Sequence, residues 1–129
     1  MRKKVIIGVV CIVAVAIVCI GGRNLLGTLN YKKIISDIEI KTPDIAKIQD
    51  GVYNGSFDAL LVSAEVDVVV EGERITDIII KKHKNGRGAK AEAITEEVVN
   101  RQSLEVDAVT GATNSSKVIL KAIENALTT

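Results

Sequence analysis

Beyond Gly51 the apolar positions fall first at a spacing of two and then at a spacing of three to four. The middle of the first part is the clearest. Ala64, Val66, Val68 and Val70 alternate with Glu65, Asp67 and, after one break at Val69, Glu71, which predicts a strand with one buried and one wet face. Extended stretches at 52–58 and 75–82, the latter carrying Ile78, Ile79 and Ile80, flank it. Glu71, Gly72 and Glu73 turn the chain between the last two, so these should pair as an antiparallel hairpin and the three strands should form a meander. The helical spacing follows. Ala91, Ile94, Val98 and Gln102 recur on one side of 89–103 with Glu92, Glu96 and Glu97 opposite, and Val118, Ile119, Ala122, Ile123, Ala126 and Leu127 make one stripe near the end. Two apolar helix faces over one face of a small sheet predict an α+β domain covering 49–129, a size that is marginal without further support.

Ahead of the domain the pattern is different in kind. Arg2, Lys3 and Lys4 precede an uncharged run from Val5 to Gly22, which as a helix spans about 27 Å at ~1.5 Å per residue, close to the ~30 Å hydrocarbon core of a bilayer. This predicts an N-terminal transmembrane helix over 1–22, an uncleaved anchor with its basic end in the cytoplasm and the remainder exported. The alternatives are weaker: cleavage after Ala16 would leave Ile17, Val18, Cys19 and Ile20 as an apolar stub, and Val18 is bulky for the residue before a lipidated Cys19. Residues 23–48 read as a juxtamembrane connector. Leu25, Leu26, Leu29, Ile34 and Ile35 form a loose helical stripe from Asn24 to Asp37, Ile38 and Ile40 alternate as in a short strand, and Thr42 with Pro43 reads as the cap and first position of a helical turn through Ile48.

Composition narrows the function. The chain has 129 residues, room for one small domain and a segment or two, and a formal net charge of +1. With Arg2, Lys3 and Lys4 set aside, its 17 basic residues fall to 14 against 16 acidic, a net of −2. No basic patch is present, and Tyr31, Tyr53 and Phe57 are too few and scattered to stack bases, which argues against nucleic acid. Cys11 and Cys19 lie in the apolar run and offer neither a disulfide framework nor metal-ligand spacing. His83 has no Cys or Asp neighbour in sequence and makes no metal site. No Ser/His/Asp set, activated cysteine or placeable carboxylate pair appears, so no catalytic residues are assigned.

The chemistry concentrates in Asp107 to Ser116, DAVTGATNSS, just where the last helical stripe begins. On spacing alone two readings stand. The hydroxyls of Thr113 to Ser115 cap the helix and Gly111 is a turn residue, or the free N–H groups and positive dipole end of the helix make a phosphate site. A nucleotide-binding P-loop is excluded, because Lys117 stands between Ser116 and Val118 without the glycine and hydroxyl neighbours that motif requires.

Asp107, Thr110, Gly111, Ala112 and Thr113, in the order D-x-x-T-G-A-T, resemble the flavinylation motif of the FMN-binding domain family, which includes subunits of the sodium-pumping NADH:quinone oxidoreductase and Rnf complexes and single-domain extracellular electron-transfer flavoproteins. The similarity extends to Gln102, Ser103 and Val106, and to Gly51, Tyr53 and Gly55 at the family's G-x-Y-x-G start. The resemblance implies that Thr113 carries FMN through a phosphoester, installed by a flavin transferase that uses FAD. Thr110, Gly111 and Ala112 would shape the approach, and Asp107 would serve recognition by the transferase or cap a turn. It implies a membrane-anchored, extracytoplasmic electron carrier exchanging electrons with redox proteins or quinone, closer to a subunit or carrier than to a complete enzyme. The alternative is a non-redox membrane-anchored interaction domain without flavin. The basic stretch Lys81 to Lys90 reads as a solvated turn, with flavin contact as its alternative. His83 resembles a family histidine at the end of this strand, but Lys84, Asn85, Gly86, Arg87 and Gly88 follow where relatives often have Glu-Thr-Pro and more glycines.

Overall fold

The computed structural model describes residues 2–84 and 89–128. Its sheet is the expected antiparallel meander: β1 (Gly51–Asp58), β2 (Ser63–Glu71) and β3 (Arg74–Lys84), in that spatial order. β2 takes the centre, and its alternation is realised residue by residue. Ala64, Val66, Val68 and Val70 are buried, while Glu65, Asp67 and Glu71 lie on the other face or at the strand end. On that wet face Asn54 Nδ2 donates to Asp67 Oδ1 at 2.9 Å and to Glu65 Oε1 at 3.2 Å. The Asn54 hydrogen bond, with Lys81 Nζ 3.3 Å away, holds the Asp67 carboxyl below its usual pKa.

β3 runs two residues beyond the predicted Lys82, and its register slips twice. Val70 faces Ile75 but Val69 faces Asp77, and Val66 faces Ile80 but Glu65 faces Lys82, so Thr76 and Lys81 are the extra residues of two β-bulges. Each bulge resets the inward phase. Ile75, Ile78, Ile80 and His83 therefore all stand opposite the inward residues of β2, namely Val70, Val68, Val66 and Ala64. His83 thus belongs to the strand and not to the loop, with its side chain only 2% exposed.

Two helices cover the inner face of this sheet. A 3-10 stretch, Ala89–Ala93, leads into α2 (Ile94–Arg101), and α3 spans Thr113–Thr128. Ala91, Ile94 and Val98 are fully buried, as the helical spacing predicts. The helix stops short of Ser103 because Gln102 turns left-handed, at φ 53 and ψ 39, a conformation that costs a non-glycine residue about 1 kcal/mol. Three hydrogen bonds offset it. Gln102 Oε1 accepts from the Ile75 N–H at 2.7 Å, and Nε2 donates to the carbonyls of Ile75 at 2.7 Å and Val99 at 2.6 Å. The primary amide acts as a strand partner for β3 and fastens α2 to the edge of the sheet.

α3 lies on β1 and β2, burying Val118, Ile119, Ala122, Ile123 and Ala126 completely. The approach is closest at Gly55. A Cβ placed there would collide with Ala122 O and Ala126 N and come within 2.6 Å of Ala126 Cα, so helix backbone rests directly on strand backbone. Alanine on one side and glycine on the other make this contact possible.

The chain before β1 joins the same core. α1 is one unbroken helix, Arg2–Asp37, of 36 residues, about 54 Å long at 1.5 Å per residue. Its apolar part, including Val5, Ile12 and Ile20, is exposed, and the helix is long and apolar enough to cross a membrane. Its last turns dock: Ile35 is buried and Tyr31 and Ile34 pack against the core, while Leu26 and Leu29 stay exposed. The side chain of Leu25 lies outside the described residues. The expected strand at Ile38 and Ile40 does not form. Those residues cross α3 instead, held by the Lys41 N–H donating to Glu124 Oε2 and by Lys121 Nζ donating to Glu39 O, each at 3.1 Å. Thr42 is not a cap either: the short 3-10 turn is Ile45–Lys47 with Asp44 ahead of it. Thr42 Oγ1 accepts from the Leu104 N–H at 3.0 Å, tying the connector to the segment that leads into Asp107.

Candidate functional site

The stretch from Asp107 to Ser116 is shaped by one turn and one buried hydroxyl. The Ala112 N–H donates to Val109 O at 2.9 Å, closing a β-turn with Thr110 and Gly111 at its centre. Gly111 has φ +78, the left-handed value that the third position of a type II turn requires. Ala112 then starts α3: its carbonyl accepts from the Ser116 N–H at 2.9 Å, and its methyl is buried. The N-cap residue is therefore alanine, which has no side-chain oxygen. Capping by the Thr113 to Ser115 hydroxyls, expected from spacing, is replaced by a different device. Ser116, fully buried, donates from Oγ to Ala112 O at 2.7 Å and accepts from the Val109 N–H at 3.0 Å. These two bonds lock the turn onto the helix start and contribute about 1 kcal/mol each.

Thr113 is left free of that structural duty. It is the first residue of α3 and is exposed, as are Asp107, Thr110 and Gly111. An α-helix leaves the N–H groups of its first turn without intrahelical partners, here those of Thr113, Asn114 and Ser115. A nucleophilic hydroxyl at such a place combines access from solvent with a fixed backbone, since its neighbour Ala112 is only 6% exposed.

A cation arrives from elsewhere in the chain. A Cβ at Gly111 would lie 2.7 Å from Lys90 Nζ and 3.2 Å from Lys90 Cε, so the Lys90 side chain reaches over the glycine of the turn. The 3-10 stretch carrying Lys90 is anchored just after it. Ala91 is fully buried, and Glu92 Oε1 is paired with His83 Nδ1 at 3.5 Å. The predicted basic loop is accordingly split. Lys81, Lys82 and Lys84 sit on β3 facing solvent, Lys90 sits at the turn, and Asn85 to Gly88, with Arg87, lie outside the described residues.

Two concave regions lie elsewhere on the described surface. A cleft of about 220 Å³ between β3 and α2 is lined by residues such as Thr76, Asp77, Thr95 and Asn100. A groove of about 340 Å³ borders Ile34, Ile38, Phe57 and Lys121. Neither includes a residue of 107–116. Sequence reasoning placed Val109 and Ser116 in the motif without their roles, and carried Lys90 only as part of a basic stretch whose alternative reading was flavin contact. Lys90 is 21 positions upstream of Gly111, and no one-dimensional signal brings the two together.

With that geometry in place, comparison with known protein families finds that the model of the FMN-binding domain matches residues 24–128. No curated protein and no solved structure matches the chain.

Proposed function

Because the chain belongs to the FMN-binding domain family, we propose that it is a membrane-anchored electron carrier with FMN attached covalently through a phosphoester to Thr113. The observation that carries this reading is the position of Thr113: an exposed hydroxyl on the first residue of α3, beside a buried Ala112 and relieved of capping by Ser116. The residues present fit a phosphate-bearing group. Gly111 leaves the turn without a side chain, and the helix start offers N–H donors.

Attachment forms one bond and breaks one. Thr113 Oγ bonds to the FMN phosphorus of FAD, the phosphoanhydride opens, AMP leaves with the electron pair, and the hydroxyl proton is lost. Threonine is a weak nucleophile at its own pKa, and activation comes from the transferase. Exposed Asp107 is a recognition point for that enzyme. Bound FMN supplies one- and two-electron chemistry, and the protein's part is to attach, orient and keep it. Covalent attachment has a physical reason: outside a membrane a freely dissociating flavin is lost by dilution, whereas a phosphoester keeps it however weak the noncovalent contacts are.

The test is peptide mass mapping of the full chain co-produced with a flavin transferase. The expected result is one added FMN less water on the peptide containing Thr113. Flavin on Thr110 or Ser115, or on no residue, overturns the assignment, and the last outcome favours a flavin-free interaction domain.

Membrane placement has its own prediction. The basic residues precede the apolar run of α1, so a protease added to intact cells or spheroplasts is expected to remove the chain beyond about residue 23 and leave the anchor. Protection until lysis overturns the orientation.

A further inference from the structure

The motif that is to receive a phosphate carries the wrong charge. Between Asp107 and Ser116 there is one acid and no base, and Lys117 is half-buried on the helix behind it. An anionic phosphoester brought to Thr113 therefore finds the N–H groups of the helix start but no cationic side chain within the motif. The fold supplies one from a distance. Lys90 Nζ overlies Gly111, two residues from Thr113, and a side chain at 111 would displace it. The backbone that carries this exposed side chain is held from the next residue on: Ala91 sits in the core, Glu92 Oε1 lies 3.5 Å from His83 Nδ1 on β3, and Lys90 Cε and Nζ lie over the glycine. The bulge at Lys81 is what turns His83 inward to hold this stretch.

We propose that Lys90 is the phosphate-binding residue of the attachment site, the cation that pairs with the incoming flavin pyrophosphate and afterwards with the phosphoester on Thr113. The inference rests on the reading of Thr113 above and adds a cationic side chain to that site. Gly111 acquires a second role under it: besides allowing the left-handed turn, it keeps the space in which the ammonium lies.

The experiment follows the initial rate of flavin addition, by intact mass, for purified full-length chain with limiting transferase and FAD. Lys90→Met keeps the stem and removes the charge, Lys90→Arg keeps the charge, and Lys90→Glu reverses it. Pairing with a charged group predicts roughly a tenfold slower rate for the Met variant. The Arg variant should stay near wild type, and the Glu variant should be slowest. Added salt should slow the wild type and Lys90→Arg more than Lys90→Met. Circular dichroism melts of the variants separate these rates from misfolding, since a structural role for the stem would spare Lys90→Met and leave no charge order. Equal rates for wild type, Met and Glu variants overturn the role of Lys90 while leaving Thr113 intact. Absence of flavin on the wild type overturns the underlying reading and this inference with it.

Discussion

Gly55→Ala is expected to abolish the cooperative melt of the domain or lower its midpoint by well over ten degrees. The added methyl has nowhere to go. It meets Ala122 O and Ala126 N of α3, both backbone atoms, and lies 2.6 Å from Ala126 Cα. When overpacking strikes side chains, rotation relieves it at about 1 to 3 kcal/mol. Here the helix itself must lift off the sheet, which separates Ile119, Ile123 and Ala126 from Val66 and Val68, so the cost should exceed that range. A domain of this size has only a few kcal/mol in hand. A thermal melt followed by circular dichroism on the full chain in detergent reads the effect through the loss of strand signal. A wild-type midpoint would mean that α3 can shift without penalty and that the close contact at Gly55 is not structural.

Thr113→Ala should remove the flavin altogether and leave the fold untouched, the opposite outcome. Because Ala112 and not Thr113 occupies the N-cap, and because Ser116 makes the bonds that lock the helix start, losing the Thr113 hydroxyl should change stability by no more than about 0.5 kcal/mol. The mass gain on co-production with the transferase should vanish, whereas Thr113→Ser should still be modified. Thr110→Ala should have a smaller effect, and Asp107→Ala should lower the modified fraction without moving the site. Transfer of the flavin to the exposed Thr110 in the Thr113→Ala protein would show that the transferase reads the turn and not the residue. Ser116 is not a candidate, since its oxygen is buried and engaged on both sides.

The parts of the fold that were legible in the sequence are those written in an uninterrupted period. The alternation of Ala64 to Val70 located β2 and its buried face, and the stripe from Val118 to Leu127 located α3. β3 was harder because its two bulges change the phase inside a run, Ile78 to Lys84, that reads as apolar and then basic. Nothing in that run reveals that Lys81 is skipped and His83 turned inward. The connector was misread for a related reason. Ile38 and Ile40 alternate as a strand does, but the segment crosses α3, whose side chains bond the backbone of Glu39 and Lys41 in place of a strand partner. At the motif the types of residue were informative and their division of labour was not. Thr113, Asn114, Ser115 and Ser116 are all good caps by chemistry. The helix begins after the one neighbour, Ala112, that cannot cap, because burying its methyl and closing the turn to Val109 fix the start. That choice is made by the core.

Under the proposed function, the continuity of α1 bears on how the protein would meet its partners. The helix leaves its apolar stretch near Gly22 and enters the core at Ile35 without a break, a distance of about 20 Å at 1.5 Å per residue. There is no joint in that distance. With the apolar stretch in a bilayer, the domain is a knob on a rigid post, unable to swing like a tethered shuttle, and its attachment face keeps one standing height and tilt above the lipid. Its freedom is to slide in the plane of the membrane and to spin about the post. For the proposed carrier, encounter with a redox partner would then be a two-dimensional search at fixed altitude, productive only for donors and acceptors whose own reactive edges are carried at the same level.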